Sequence, residues 1–435
     1  MMRWLPDLIY HHGTFESGIA LTADEKGMIL GLSRDAEDVR LAERLPGRAL
    51  LPGQLNVHSH AFQRSIRGRT EHRTSAERDT FWTWRESMYH AANAMSPDDL
   101  YRVARMAFLE MARAGITSVG EFHYVHQDLD VARAMLRAAA EAGIRIRLLR
   151  TAYMRAGWKT EPNPGQARFL TPDIDKFLAD TDALIAEGAQ VGVAPHSVRA
   201  VPIEHIETIA EYAEIRDLPL HMHVSEQPAE VEGCLAEYGR RPVELLHDHG
   251  ILTKRFTGVH AIHITDEEAR MLGRSTVCAC PTSERNLGDG AVPADKLLAA
   301  GARICFGSDS NTQIDIFEDA RELEYHLRMT KLERAVIDTP RLFESATESG
   351  ARSLMLNAGA LEPGRAADFF TVDLNDLSLA GASRDTLLTH IVFALEKSAI
   401  REVCAGGKMA VRDMRHVLEE EIVHDFTSLQ RRLWG

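Results

Sequence analysis

The chain has 435 residues, and its 50 Lys and Arg against 64 Asp and Glu leave a formal charge of −14. That acidity argues against nucleic acid and anionic membranes as partners, since both reward clustered Lys and Arg. The 45% hydrophobic and 26% charged shares are those of a soluble globular protein, and no run of about 18 apolar residues offers a membrane span.

A small anionic substrate stays open, because one local Arg can reverse the field inside a cleft. Five cysteines (Cys234, Cys278, Cys280, Cys305, Cys404) form no CxxC and read as reduced core thiols of a cytoplasmic protein. The opening MMRWLPDLIYHHG lacks the long apolar segment of a signal peptide, so none is expected. Twenty histidines are the compositional oddity.

In chain order, residues 1–46 carry short hairpin-like runs (LIYHHGTFESGIALTAD, GMILGLSRD). Then come eight apolar runs: ALLPGQLNV before His58, TSVGEFHY (117–124), RIRLLRTAY (145–153), AQVGVAP (189–195), LPLHMHV (218–224), FTGVHAI (256–262), STVCAC (275–280) and ARICFGS (302–308). Amphipathic stretches such as DDLYRVARMAFLEMARAG separate most of them. This alternation predicts parallel βαβ units, and eight of them make a closed (β/α)8 barrel of the TIM type. GWKTEPNPGQ (157–166) predicts one long loop. Residues 361–415 return to short strands, in ADFFTVDL and SAIREVCAGGKMAVRD. The expected class is α/β. Residues 51–360 form the barrel, 1–50 and 361–415 pair as a small β-sandwich domain, and 416–435 form a C-terminal helix.

The histidines gather at the predicted strand ends: His58 and His60 on the first strand, His123 on the second, His196 on the fourth, His221 and His223 on the fifth, His260 and His263 on the sixth. Asp309 ends the eighth. Barrels of this type build their active sites at that end. His58 and His60 share one face of a strand, because side chains alternate with period two. Three imidazoles and a carboxylate around one cation, with a position left for water, suit Zn²⁺ or Fe²⁺. Such an ion lowers the pKa of its water towards neutrality. Spacing cannot choose between His221 and His223 as the ligand of the fifth strand. Glu226, in the following loop, could carry protons to a substrate nitrogen. His260 could polarise the substrate or orient the water, while His263 reads as a loop histidine. Asp309 could be ligand and base, the alternative being a helix cap. No strand end offers a Lys to bridge two metals, so a mononuclear site is expected, and one activated water acting on a C–N bond fits deamination.

HxH at His58–His60, HxxE at His223–Glu226, a histidine on the sixth strand and the pair Ser308–Asp309 together resemble the mononuclear deaminase branch of the amidohydrolase superfamily. NVHSHAFQR (56–64), DTFWTWRESMY (79–89), GEFHYVH (120–126), APHSVRAV (194–201), HMHVSEQPAEV (221–231) and NLGDG (286–290) are similar, more narrowly, to the formimidoylglutamate deiminases. The resemblance spans residue 51 to about residue 360. It implies metal ligands His58, His60, His223 and Asp309, and one divalent ion, Zn²⁺ ahead of Fe²⁺. It implies catalytic roles for Glu226, His260 and Asp309. It implies substrate contacts from Gln63, Arg85, Tyr124, His196 and Arg199, the two arginines each clamping one carboxylate of a dianion. The implied reaction is hydrolytic deamination of N-formimino-L-glutamate in histidine degradation, by a cytoplasmic homodimer. The alternatives are deamination of another amidine or of a heterocycle such as guanine or an adenosine derivative, and a non-catalytic barrel, which would have lost ligands that are all present. Two departures bear on substrate choice: Asn311, where family members often carry His, and the CPTSER segment (280–285) ahead of NLGDG.

Overall fold

The computed structural model describes residues 1–72, 79–125, 128–160, 162 and 164–435. Eight strands form the barrel: β6 (Gln54–Ser59), β7 (Ile116–His123), β8 (Arg145–Ala152), β9 (Val191–Pro195), β10 (Leu220–Val224), β11 (Phe256–His260), β12 (Thr276–Ala279) and β13 (Arg303–Phe306). They pair in chain order from β6 to β13, all parallel. Every residue of β6, β7, β9, β10, β11 and β12 is buried, because helices cover one face and the barrel interior the other. That is why these strands read as short apolar-rich runs in the sequence, without a regular polar face.

The barrel closes between β6 and the end of β13. The Asp309 N–H donates to the His58 carbonyl and the His60 N–H to the Asp309 carbonyl, each at 2.9 Å. The Asn56 side chain accepts the Ser308 N–H at 2.9 Å and donates to the Ser308 hydroxyl at 2.7 Å. A Cβ on Gly307 would stand 2.7 Å from the His58 Cβ and 2.8 Å from its carbonyl oxygen, so only glycine allows this approach.

The opposite, N-terminal mouth is covered by helix Glu348–Ser353. Gly350 lies against Leu55 and Val57 of β6, while the carbonyls of Ser353 and Leu354 accept His221 Nε2 (3.1 Å) and Arg147 Nε (2.9 Å).

A second, nine-stranded sheet draws on both ends of the chain. Its strands are β1 (Met2–His11), β2 (Thr14–Glu16), β3 (Ala20–Ala23), β4 (Ile29–Ser33), β5 (Glu43–Pro52), β14 (Phe369–Asp373), β15 (Ile400–Ala405), β16 (Lys408–Arg412) and β17 (Arg415–His416). Only β1 and β5 pair in parallel; the rest are antiparallel, and β5 against β14 joins the N-terminal half to the C-terminal half. Trp4, Ile9, Leu21, Leu50 and Phe369 fill a core of its own. Helix Glu419–Trp434 packs back onto the barrel, with Arg105 paired to Glu421 at 2.6 Å and Gln430 donating to the Ser65 carbonyl at 3.2 Å.

Two details differ from the sequence expectation. Residues 164–169 of the long loop form a 3-10 turn, for which Pro164 presets φ. Residues 36–41 form a short helix, capped by Asp35 accepting the Glu37 N–H at 2.8 Å. All five cysteines are free and buried. No helix among the described residues is long and apolar enough to cross a membrane.

Candidate active site at the C-terminal mouth

Four donor groups converge where β6, β10 and β13 end. His58 Nε2 stands 3.1 Å from His60 Nε2 and 3.2 Å from His223 Nε2. Asp309 Oδ1 stands 3.2 Å from Nε2 of both His58 and His60. Donor atoms held about 2.0–2.1 Å from one zinc ion lie roughly 3 Å apart, so these separations are those of a ligand shell. The imidazoles are also turned correctly. His60 Nδ1–H donates to the Phe122 carbonyl and His223 Nδ1–H to the His196 carbonyl, each at 3.0 Å, which leaves both Nε2 lone pairs facing the cluster. Burial pushes His58 down to about 3, and burial and the neighbouring imidazoles push His223 well down, so both are neutral and ready to bind a cation. Burial alone would raise Asp309, but the adjoining His58 and His60 rings and the nearby His260 hold it well below the usual carboxylate range. The donor set fits a divalent metal.

Strand ends aim these groups by leaving the extended conformation. Ser225 (φ 50°), His260 (φ 72°) and Asp309 (φ 45°) are all left-handed and non-glycine. Each such residue costs about 1–3 kcal/mol, held here by the surrounding barrel.

Beside the cluster lies a titratable pair. His260 Nε2 is 3.7 Å from Glu226 Oε1, and His260 Nδ1–H donates to Glu284 Oε1 at 3.1 Å. Glu284 also accepts the Cys280 N–H at 2.9 Å. Burial opposes charge on His260, but Glu226 and Glu284 outweigh it and raise His260 well above its ordinary value. Burial raises Glu226, against the pull of His260. Glu284 escaped the sequence reading. It sits in CPTSER on helix Pro281–Leu287, and its role shows only through a ring 24 residues away.

A cavity opens onto the cluster and is lined by Gln63, Arg85, Tyr124, His196, Arg199 and Glu226 together with His60, His223 and Asp309. All five expected substrate contacts therefore share one space with the ligand set. Gln63 Nε2 donates to the Tyr124 hydroxyl at 3.2 Å. His196 Nδ1 meets the Ser197 hydroxyl at 3.1 Å, and burial, then Arg199, lower the His196 pKa well below normal. Arg85 lies 5.0 Å from the Trp82 ring and 5.3 Å from the Tyr89 ring. Nη1 of Arg85 and Nη1 of Arg199 are buried without a hydrogen-bond partner in the described residues. Tyr89, Tyr153 and Trp84, which also line the cavity, had no role in the sequence reading.

The remaining candidates separate cleanly. His221 faces the barrel interior like His223, but one layer lower, bound to the Ser353 carbonyl at 3.1 Å. His263 is a loop residue that donates to the Asp289 carbonyl at 2.9 Å. His123, at the end of β7, is buried and lowered to about 3 by burial. His126, the last residue of the GEFHYVH motif, lies outside the described residues. Asn311 stands beside the ligand cluster, on the His60 backbone. It is absent from the cavity lining, and its side chain instead holds the closing seam, donating to the Ser59 hydroxyl at 3.2 Å and the His60 carbonyl at 3.0 Å and accepting from the Ser308 hydroxyl at 2.6 Å.

Comparison with known proteins decides the family. Residues 49–410 match the model of the Amidohydrolase family. The chain belongs to the amidohydrolase family. As such it is a hydrolase acting on C–N bonds. A formimidoylglutamate deiminase of Pseudomonas aeruginosa is 38% identical over 89% of this chain and 90% of its own length. A 5-methylthioadenosine/S-adenosylhomocysteine deaminase of Natronomonas pharaonis is 27% identical over 92% of this chain and 90% of its own. Among solved structures, an amidohydrolase from Brucella melitensis superposes with a TM-score of 0.91 at 32% identity, covering both chains fully. An adenosine deaminase from Xanthomonas campestris with bound Zn superposes at 0.84, with 22% identity over 99% of this chain and 98% of its own.

Proposed function

We propose that this amidohydrolase deaminates N-formimino-L-glutamate, yielding N-formyl-L-glutamate and ammonia, with one Zn²⁺ held by His58, His60, His223 and Asp309. The observation that carries this reading is the pair of unpartnered guanidinium nitrogens, on Arg85 and Arg199, in the same cavity as the four-donor cluster. A buried donor without an acceptor is costly, and a substrate carboxylate on each arginine supplies one by charge-assisted hydrogen bonds. N-Formimino-L-glutamate has two carboxylates and one amidine carbon. The 38% identity to a formimidoylglutamate deiminase supports the same substrate.

When bound, the cation acidifies water and so supplies the nucleophile at neutral pH. The protein's own groups move the protons. Asp309 takes a proton as water oxygen adds to the amidine carbon. His260, fixed through Nδ1 by Glu284, presents Nε2–H to the oxygen that gains charge. Glu226, whose burial favours its protonated form, gives a proton to the departing nitrogen. As the C–N bond breaks, Asp309 passes its proton to the nitrogen and the hydroxyl proton returns to Glu226, so ammonia leaves and the carbon keeps the oxygen as a formyl group. Gln63 and Tyr124 hold the formimino end while Arg85 and Arg199 hold the carboxylates.

The test is ammonia release from N-formimino-L-glutamate against guanine, cytosine and adenosine derivatives. Turnover of the first alone is expected. Turnover of a nucleobase or nucleoside in its place would overturn the reading.

A further inference from the structure

Beyond the two arginines, the cavity wall carries a pair of phenols. Tyr89, on helix Phe81–Ala94, and Tyr153, just past β8, bring their hydroxyl oxygens to 3.1 Å. Gln166, in the 3-10 turn Pro164–Phe169, points its side-chain nitrogen at both, 3.2 Å from Tyr89 and 3.0 Å from Tyr153. All three residues are buried. Ring contacts locate the pair relative to the ligand cluster. Tyr153 packs on His196 at 4.9 Å, and His196 packs on His223 at 4.7 Å. Tyr89 packs on Phe169 at 5.2 Å, Phe169 on Tyr124 at 5.2 Å, and Tyr124 on His60 at 5.1 Å. The phenols therefore stand one and two side chains removed from the metal ligands.

Counting hydrogens leaves one unused. Two phenols carry two O–H donors, and only one can lie on their single O···O contact. The amide nitrogen of Gln166 donates and cannot accept the other. Neither hydroxyl has a further acceptor among the described residues. Burial pushes the Tyr89 phenol up, so it stays protonated. One O–H thus remains to point into the cavity that both phenols line. It joins Nη1 of Arg85 and Nη1 of Arg199, and all three are donors. The unpartnered acceptor of this cavity, Gln63 Oε1, is on the side of Tyr124 and His60. The cavity is polarised, with donors around the phenols and acceptors by the ligand cluster. A buried site of this kind accepts a molecule that is acceptor-rich at one end and donor-rich at the other.

We infer that Tyr89 and Tyr153 are substrate-binding residues that read a carboxylate, and that Gln166 is the positioning residue that keeps one phenolic hydrogen turned into the cavity. This rests on the reading of the site as one for an amidine with two carboxylates.

The experiment is calorimetric titration of the zinc-loaded protein with glutarate, a five-carbon dianion. Acetohydroxamate, which needs only the metal end, serves as control. Tyr89→Phe or Tyr153→Phe alone leaves the other hydroxyl free to donate, so each weakens glutarate by only about threefold. The double variant weakens it by about 10- to 100-fold, the loss of a hydrogen bond to a charged group. Gln166→Glu keeps the shape, but its carboxylate accepts both phenolic hydrogens and turns them away, so it weakens glutarate at least as much as the double variant. Gln166→Leu does less. Acetohydroxamate binds all variants like the wild type. The inference is overturned if the wild type does not bind glutarate, if the double variant and Gln166→Glu bind it unchanged, or if both probes weaken together. A wild type that shows this glutarate pattern but releases no ammonia from N-formimino-L-glutamate keeps the carboxylate site and loses the proposed substrate.

Discussion

His221 and His223 sit two residues apart on β10 and face the same barrel interior, yet they serve different ends of it. His223 Nε2 joins the donor cluster at the C-terminal mouth, 3.2 Å from His58. His221, about 7 Å lower along the strand, is held by the Ser353 carbonyl of the helix that covers the other mouth. The arginines repeat the contrast. Arg147 at the covered mouth spends its nitrogens on the carbonyls of Leu354, Val191 and Met355, at 2.9, 3.2 and 2.9 Å. Arg199 at the open mouth keeps Nη1 unspent. Both ends are polar and buried. What separates them is the arginine, since Arg147 is spent on the protein's own carbonyls while Nη1 of Arg199 has no partner among the described residues.

Mutations can break this comparison. The largest effect belongs to the histidines. His223→Ala should abolish bound metal and lower turnover by more than about 10⁴-fold, beyond the loss of a single proton carrier, whereas His221→Ala should keep metal content and lower only the melting temperature. Metal analysis of the two proteins decides it, and equal metal loss in both would erase the distinction between layers.

Next comes Glu226→Gln, expected to cut kcat by about 10²- to 10⁴-fold with metal content unchanged. Near wild-type kcat would remove Glu226 from the proton path. The arginines follow. Arg199→Met or Arg85→Met should raise KM by about 10- to 100-fold at modest cost in kcat, while Arg147→Met should leave KM alone and cost about 2–4 kcal/mol of stability in denaturant titration.

The smallest effect is a slope. Burial raises Glu230 to about 7, above its unfolded value, so the folded state binds a proton that the unfolded state has lost. That contribution is fully present below about pH 4.5 and is lost as pH rises towards 7, amounting to about 3 kcal/mol at most. Glu230→Gln should flatten stability against pH in that window and leave it unchanged elsewhere. An unaltered slope would mean that Glu230 is not the titrating group.

The barrel was legible because most of its strands are buried on both faces and so read as apolar-rich runs between breakers. The HxH and the strand-end Asp309 were legible for a related reason, since period two and strand order set faces and ends. Height along the barrel axis was not, so spacing left His221 and His223 level until Ser353 was seen to take one of them. Glu284 and the Tyr89–Tyr153–Gln166 triangle were hidden because their partners are joined by folding alone: Tyr89 and Tyr153 are 64 residues apart and belong to different connections. The direction of the Asn311 side chain was hidden too. The residue stands two residues past a ligand in sequence, but its left-handed backbone (φ 56°) turns it into the seam.

That seam has a consequence for synthesis. Of the four candidate ligands, His58 lies on β6 and His60 directly after it, while Asp309 follows β13 some 250 residues later in the chain, and the same contacts that close the barrel bring them together. As the chain leaves the ribosome, β6 waits with an open apolar edge until β13 has been made, and β5 waits longer still for β14. A nascent chain can hold no complete ligand set. Completion of the candidate ligand set is therefore a report on finished closure, and the long interval before it is when this protein is most exposed to misassembly.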